Sequence, residues 1–137
     1  MTRTPLVIIL LSFSLFLISC SEEEQPTEKF QFTAEIDKVI VMGKGMKREL
    51  GRRTIDDTAD ITIIQEAMHN ASVSTRNHTD EGPLFELEVI YKDGSSETFG
   101  LKYYISAERG IFYTDSFYYA FNNQAFPAFM ELFESFK

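Results

Sequence analysis

Apolar and polar side chains alternate along several stretches of this chain, a pattern typical of strands that bury one face. The first such stretch covers residues 30–42. Residues 85–91 and 97–105 alternate in the same way on either side of Asp93-Gly94, a pair that favours a tight hairpin turn. These three stretches predict a strand followed later by an antiparallel hairpin. Two short aromatic strands are then predicted at 111–114 and 117–121.

Helical spacing replaces alternation in two other stretches. Residues 56–60 carry short polar and acidic side chains that favour a helix start through capping and the helix dipole. The alternative, a calcium site, is disfavoured because the usual calcium-binding loop pattern is missing. The apolar positions that follow lie on one helical face: Ile61, Ile64, Met68 and Ala71. A second amphipathic helix ends the chain, with Pro127 in its first turn. Its apolar positions are Phe126, Phe129, Met130, Phe133 and Phe136.

The order of these elements predicts the fold class. The order indicates an α+β domain: a strand, a helix, a hairpin, one or two further strands and a final helix. We expect a mostly antiparallel sheet of four to five strands with two helices packed on one face. Residues 44–53 are interpreted as a basic loop or hairpin, and residues 70–83, which are rich in Asn, Ser and Thr, as a polar loop.

The amino-terminal residues indicate export and lipid attachment. Residues 6–18 form an apolar run that is too short to span a bilayer, which needs about 20 residues, but fits a secretory signal. The following Leu17-Ile18-Ser19-Cys20 resembles a bacterial lipobox, in which Cys receives diacylglycerol before signal peptidase II cuts ahead of it. The predicted organisation is therefore a signal peptide at 1–19, a lipidated Cys20 with an acidic flexible tether at 20–29, and one domain at 30–137.

Lipidation of Cys20 predicts the location of the protein. Two acyl chains form a stable anchor, whereas one binds a membrane only marginally. We expect the domain to lie at the extracytoplasmic face of a bacterial membrane, and the favoured membrane is the cytoplasmic one. Ser21, rather than Asp, follows the Cys, so transfer to an outer membrane is also compatible with the sequence.

Composition narrows the chemistry. The chain has 137 residues, a net charge of −8 and a single Cys. One Cys excludes a disulfide framework within the chain and a multi-cysteine zinc site. The acidic balance argues against nucleic-acid binding, which needs clustered cations. Against this background one basic cluster stands out: Lys44, Lys47, Arg48, Arg52 and Arg53. It is either a rim facing an anionic lipid or wall-polymer surface or a solvated loop that balances nearby acids.

Aromatic residues supply the second candidate binding surface. Tyr103-Tyr104 and Phe117-Tyr118-Tyr119 place rings on both faces of their strands, so one face is core and the other exposes Tyr104 and Tyr118 or their neighbours. The alternative is that helices or the tether cover those rings.

No catalytic grouping is recognisable in the sequence. His69 and His78 have no third ligand at metal-binding spacing, and the paired Glu86 and Glu88 fit a solvated strand face. We therefore predict no metal, no cofactor and no enzymatic activity. The predicted function is a binding module for an envelope protein, wall polymer or small ligand. The alternative is a small hydrolase-type envelope enzyme whose carboxylates, distant in sequence, meet in space.

The body of the chain resembles the YhfM-like domain of small bacterial lipoproteins over about residues 33–136. The resemblance is carried by the stretches 35–41, 61–67 and 87–95, together with the aromatic strand and the terminal helix. It implies a fold and an envelope location, and it brings no activity and no functional residues with it.

Overall fold

The protein folds around one antiparallel sheet of seven strands, in the order β2-β1-β4-β5-β6-β7-β3. A computed structural model describes residues 29–74, 82–122 and 124–136. The strands are β1 (Ile36–Gly43), β2 (Arg52–Ile55), β3 (Ser72–Val73), β4 (Phe85–Tyr91), β5 (Ser96–Tyr104), β6 (Arg109–Tyr113) and β7 (Tyr118–Phe121). The helices are small: α1 (Thr58–Met68), α2 (Phe126–Glu134) and a short 3-10 helix (Gly45–Leu50).

The predicted fold class is wrong. In place of an α+β domain with four to five strands, the structure has a seven-stranded open sheet with only small helices, and the signal peptide included in that prediction lies outside the described residues. The two strands that the prediction missed are the sheet edges β2 and β3. β2 was hidden because three of its four residues are polar and exposed, and β3 because two residues show no period.

The first predicted strand is shorter than its alternation suggested. β1 begins at Ile36, so residues 30–35 lie outside the sheet. The pairing of β1 with β4 shifts register between Ile36 and Lys38, a bulge-like irregularity at the point where Lys38 interrupts the apolar pattern. The predicted hairpin is confirmed: β4 and β5 pair antiparallel across the turn at Asp93-Gly94.

Both helix starts follow the predicted chemistry. Asp57 caps α1, since its Oδ2 accepts hydrogen bonds from the backbone N–H groups of Ala59 and Asp60. Capping therefore accounts for this acidic segment. Pro127 occupies the first turn of α2, where a missing N–H costs no internal hydrogen bond.

The sheet has two different faces. On the helix face, side chains of β1, β4, β5, β6 and β7 join both helices in one core. Both described helices pack against that face, so neither covers the opposite side of the sheet, which we call the open face. Strand alternation places on the open face Ile40, Met42, Glu86, Glu88, Gly100, Lys102, Tyr104, Ile111, Tyr113 and Tyr118.

The chain segment that contains α1 connects the two opposite edges of the sheet across the helix face. β2 forms one edge and β3 the opposite edge, and α1 is the element between them in the chain. Ile61 and Ile64 are buried in the core along this crossing. A cleft remains on the helix face beside the turn between β6 and β7, and it is the candidate functional site described next.

Candidate functional site: an aromatic cleft on the helix face

An aromatic cleft of about 770 Å³ opens on the helix face, beside the turn that joins β6 to β7. Its walls come from the amino-terminal segment, the end of α1, β5 and the β6–β7 turn. Four rings line it: Phe30, Phe99, Phe117 and Tyr119. The polar lining residues, the cleft rim, are Lys29, Gln31, Asn70, Glu97, Thr114 and Ser116.

Phe30 holds the amino-terminal wall in place. Its backbone N–H donates to the Ala71 carbonyl, and its carbonyl accepts from the Asn70 N–H, each at 3.0 Å. The Phe30 ring packs edge-on against Phe99 at 5.5 Å and against Tyr119 at 5.1 Å between ring centroids. Because Phe30 is only 9% exposed, its ring serves as the floor of the cleft rather than as a free contact.

Phe117 and Tyr119 present rings to the cleft from the start of β7. Phe117 is 45% exposed, and its ring centroid lies 6.3 Å from that of Tyr119. Thr114 shapes the turn, since its Oγ1 accepts from the backbone N–H groups of Ser116 and Phe117. The turn therefore fixes an exposed ring at the cleft mouth.

Glu97 is the one carboxylate among the described lining residues. It accepts a hydrogen bond from the Tyr91 hydroxyl, on the neighbouring strand. Burial, and then this hydrogen bond, raises the pKa of Tyr91 to about 12, so the phenol stays protonated at neutral pH. A carboxylate oxygen has several lone pairs, and Glu97 therefore keeps acceptor capacity towards the cleft.

The two predicted tyrosines share the open face but do not meet. Tyr118 stacks on Tyr113 with ring centroids 4.9 Å apart, and Tyr113 pairs with Gly100. Tyr104 follows Gly100 by four residues on β5, which separates it from that row by about 13 Å along the strand. Tyr104 is 38% exposed and Tyr118 is half-buried, so the pair does not form one continuous patch.

Tyr113 connects the open face to its charged residues. Its ring lies 5.6 Å from the Lys102 Nζ, and burial, followed by the charges of Tyr118 and Glu86, raises the Tyr113 pKa. Lys102 is itself buried. These contacts make Tyr113 and Lys102 part of the packed sheet surface.

The predicted basic cluster is divided between the two faces. Lys44 pairs with Glu86 at 3.5 Å and Arg52 with Glu88 at 4.0 Å, both on the open face. On the helix side, Lys47 pairs with Glu134 at 3.5 Å, and Arg53 lies over the Phe136 ring at 5.8 Å. Arg48 is exposed and forms no salt bridge within the part of the chain that the structure describes.

Sequence reasoning missed the cleft. Alternation does place Phe117 and Tyr119 on one face of the strand predicted at 117–121. The contribution of residues 29–31 had no such signal, because their alternation resembled that of β1. The candidate surface was therefore placed on Tyr104 and Tyr118, on the opposite side of the sheet.

The remaining predicted features lie outside the cleft or outside the described residues. His69 is exposed at the end of α1, and no group of three His, Cys, Asp or Glu suited to a metal ion occurs in residues 29–74, 82–122 and 124–136. Cys20, the signal peptide at 1–19 and His78 lie outside those ranges. No helix within them is long and apolar enough to cross a membrane.

Comparisons with known proteins identify the family. Neither curated proteins nor solved structures gave a match to the chain. A family described as YhfM protein matches residues 33–137. The match includes all seven strands and both helices, and it begins just after Phe30, so Lys29, Phe30 and Gln31 of the cleft precede it. Because the match covers most of its length, this chain belongs to the YhfM protein family.

Proposed function

We propose that this YhfM-family domain is a binding module that holds a small ligand, or one unit of a larger one, in the aromatic cleft. Acyl groups on Cys20 would anchor it to the extracytoplasmic face of a bacterial membrane, the cytoplasmic membrane in the first instance. The observation that supports the proposal is the cleft itself, in which an exposed ring, Phe117, stands over a floor of buried rings.

Size and lining both support ligand binding. A volume of about 770 Å³ falls in the range of small-molecule sites, about 300–1,000 Å³. Such sites combine apolar walls with a few polar groups that orient the ligand, and the cleft has rings at its centre and amides, hydroxyls and charges at its rim. A ring that is 45% exposed gains favourable burial when a ligand covers it.

The cleft does not support the hydrolase alternative. Acid–base catalysis by carboxylates requires two groups whose environments separate their roles. Glu97 stands without a second carboxylate among the described lining residues, and its partner there is the phenol of Tyr91. We therefore propose binding without chemical conversion.

The proposal is tested by amide chemical-shift mapping of the full chain in detergent micelles with a library of small aromatic and apolar fragments. We expect fragments to shift the amides around Phe30, Thr114 and Phe117. Phe117→Ala should weaken these shifts, while Ile105→Ala, which removes another exposed apolar side chain between β5 and β6, should leave them unchanged.

The same spectra distinguish the cleft from the open face. Shifts centred on Tyr104 and Tyr118 would place the site on the surface that the sequence predicted. Absence of any fragment that shifts the cleft amides would contradict the proposal.

A further inference from the structure

We infer that the ligand of the aromatic cleft is a neutral carbohydrate, such as the sugar units of an uncharged glycan. The inference rests on the proposed function and specifies its ligand class. It follows from three properties of the lining: the kind of polar groups, the exposed ring and the balance of charge.

The polar groups of the cleft rim match sugar hydroxyls. Gln31 and Asn70 contribute amides, and Thr114 and Ser116 contribute hydroxyls. Gln31, Asn70 and Ser116 each have both donor and acceptor capacity, as a sugar hydroxyl does. The Thr114 Oγ1 already accepts two backbone hydrogen bonds, so it offers the ligand its O–H donor. A ligand that carries several hydroxyls can therefore satisfy the rim, whereas a plain hydrocarbon would cover these groups without replacing their hydrogen bonds to water.

The exposed rings suit the apolar face of a sugar ring. The face of an aromatic ring carries negative charge density, which attracts polarised C–H groups. A pyranose ring presents several such C–H groups on one face and its hydroxyls around the edge. Phe117 and Tyr119 lie 6.3 Å apart with their planes at 48°, so they form two adjoining walls rather than one flat surface. A sugar ring on Phe117 would direct its edge towards the cleft rim.

The charges of the lining favour an uncharged ligand. The described lining residues carry one cation, Lys29, and one anion, Glu97. These two opposite charges give the described lining no net charge, so the site offers no overall attraction to a ligand charge of either sign, whereas hydroxyl groups can donate to Glu97 and accept from Lys29. The volume also leaves room for more than one sugar ring.

The test compares trisaccharides of matched length and different charge with the full chain in detergent micelles. Maltotriose, cellotriose and tri-N-acetylchitotriose are neutral, chitosan trimer is cationic, and trigalacturonate is anionic. We expect at least one neutral trisaccharide to shift the cleft amides and to bind at least about tenfold more tightly than both charged trimers. Phe117→Ala should weaken that binding by about tenfold, and Phe117→Tyr should retain it.

Gln31→Ala separates sugar recognition from general apolar binding. This exposed amide lies at the cleft rim, so its loss should weaken binding of the neutral trisaccharide by a larger factor than binding of aromatic fragments. Ile105→Ala serves as the control that changes neither.

Three outcomes would overturn the inference, and the first two leave the proposed function standing. If fragments bind in the cleft but no neutral trisaccharide does, the ligand class is wrong and the binding module stands. If a charged trimer binds as tightly as the neutral ones, the charge argument is wrong. If neither fragments nor sugars shift the cleft amides, the inference and the proposed function fail together.

Discussion

The ring of Tyr113 lies directly over Gly100 on the neighbouring strand and occupies the space that a side chain would need. An ideal Cβ placed on Gly100 would be 2.4 Å from the Tyr113 Cζ. Phe121 covers Gly110 in the same way on the helix face, with a Cζ only 2.1 Å from the ideal Cβ. One glycine on each face is therefore paired with a cross-strand aromatic ring, an arrangement that offsets the weak strand preference of glycine.

Alanine at these two glycines should destabilise the fold to different degrees. Phe121 is buried among Phe126 and Phe129, so its ring has nowhere to move, whereas Tyr113 is half-buried on the open face. We expect Gly110→Ala to lower the free energy of unfolding by about 3 kcal/mol and Gly100→Ala by about 1 kcal/mol. Urea unfolding measures both, with Gly82→Ala as the control because an added Cβ there has no neighbour within 4 Å. Equal losses would contradict the assignment of the rings.

Removal of the Phe30 ring should weaken the fold and the cleft together. Its ring contacts Phe99, Phe112 and Tyr119, although it lies outside the region matched by the family. We expect Phe30→Ala to lower the free energy of unfolding by about 3 kcal/mol, the scale of other buried Phe→Ala changes. Fragment shifts at the cleft should be lost in the same variant under native conditions.

The matched control is Phe32→Ala, two residues along the same segment. Phe32 is only half-buried and contacts the edge of the same cluster, so its loss should cost less stability and leave the cleft amides responsive. Similar losses for both variants would show that the segment acts as a general apolar cover.

Stability should depend on alkaline pH through Tyr91. Its pKa is raised from 10.0 to about 12 in the folded protein, first by burial and next by the hydrogen bond to Glu97. In this window the unfolded chain releases the Tyr91 proton and the folded chain keeps it, so stability falls as pH rises, by up to about 1.4 kcal/mol per pH unit. The contribution is fully present below pH 10 and is lost towards pH 12.

Tyr91→Phe removes this proton and should make the alkaline decline shallower, while Tyr113, whose pKa is also raised, still contributes to it. Urea unfolding of both proteins should give a constant difference in stability below pH 10 and a shrinking one above it. Parallel curves over the whole range would show that Tyr91 titrates as it does in the unfolded chain.

The divided basic cluster predicts small and site-specific effects of charge reversal. Lys44→Glu would face Glu86, and Arg52→Glu would face Glu88, so each should destabilise the protein by about 1 kcal/mol at low salt and by less at high salt. Arg48→Glu should change stability little. Any contact of this cluster with an anionic surface should therefore depend most on Arg48, which vesicle co-sedimentation with each variant would measure.

Lipid attachment is predicted at Cys20. Labelled palmitate should enter the wild-type protein in growing bacterial cells, and Cys20→Ala should abolish both the label and the membrane association. Equal labelling of the two proteins would contradict the anchor.

Elements with strong internal periodicity were predictable from the sequence, whereas those fixed by distant partners were not. The hairpin of β4 and β5 contains nearest neighbours in the chain, and its turn chemistry is local. β2 consists mainly of exposed polar residues and is a strand because β1 supplies its hydrogen bonds. β3 depends in the same way on β7, far along the chain.

The same contrast explains the missed site. Tyr104 and Tyr118 follow from strand alternation alone, because position parity decides which face they occupy. The cleft requires Phe30 to dock beside Phe99 and Tyr119, which are distant in sequence. No local pattern in residues 29–31 indicates that docking, and alternation there instead suggested an extension of β1.

The position of β3 at the far edge of the sheet has a consequence for the order in which the chain folds. The β3–β7 pairing joins Ser72 to Ala120 and closes a loop of about fifty residues, whereas the β4–β5 hairpin closes a loop of only a few residues. Loop closure of that length carries an entropic cost that must be met before its few contacts form. We therefore expect the hairpin to be an early folding unit and the two-residue edge strand to join last. On unfolding, the far edge should open first, and amide hydrogen exchange there should be the fastest in the sheet.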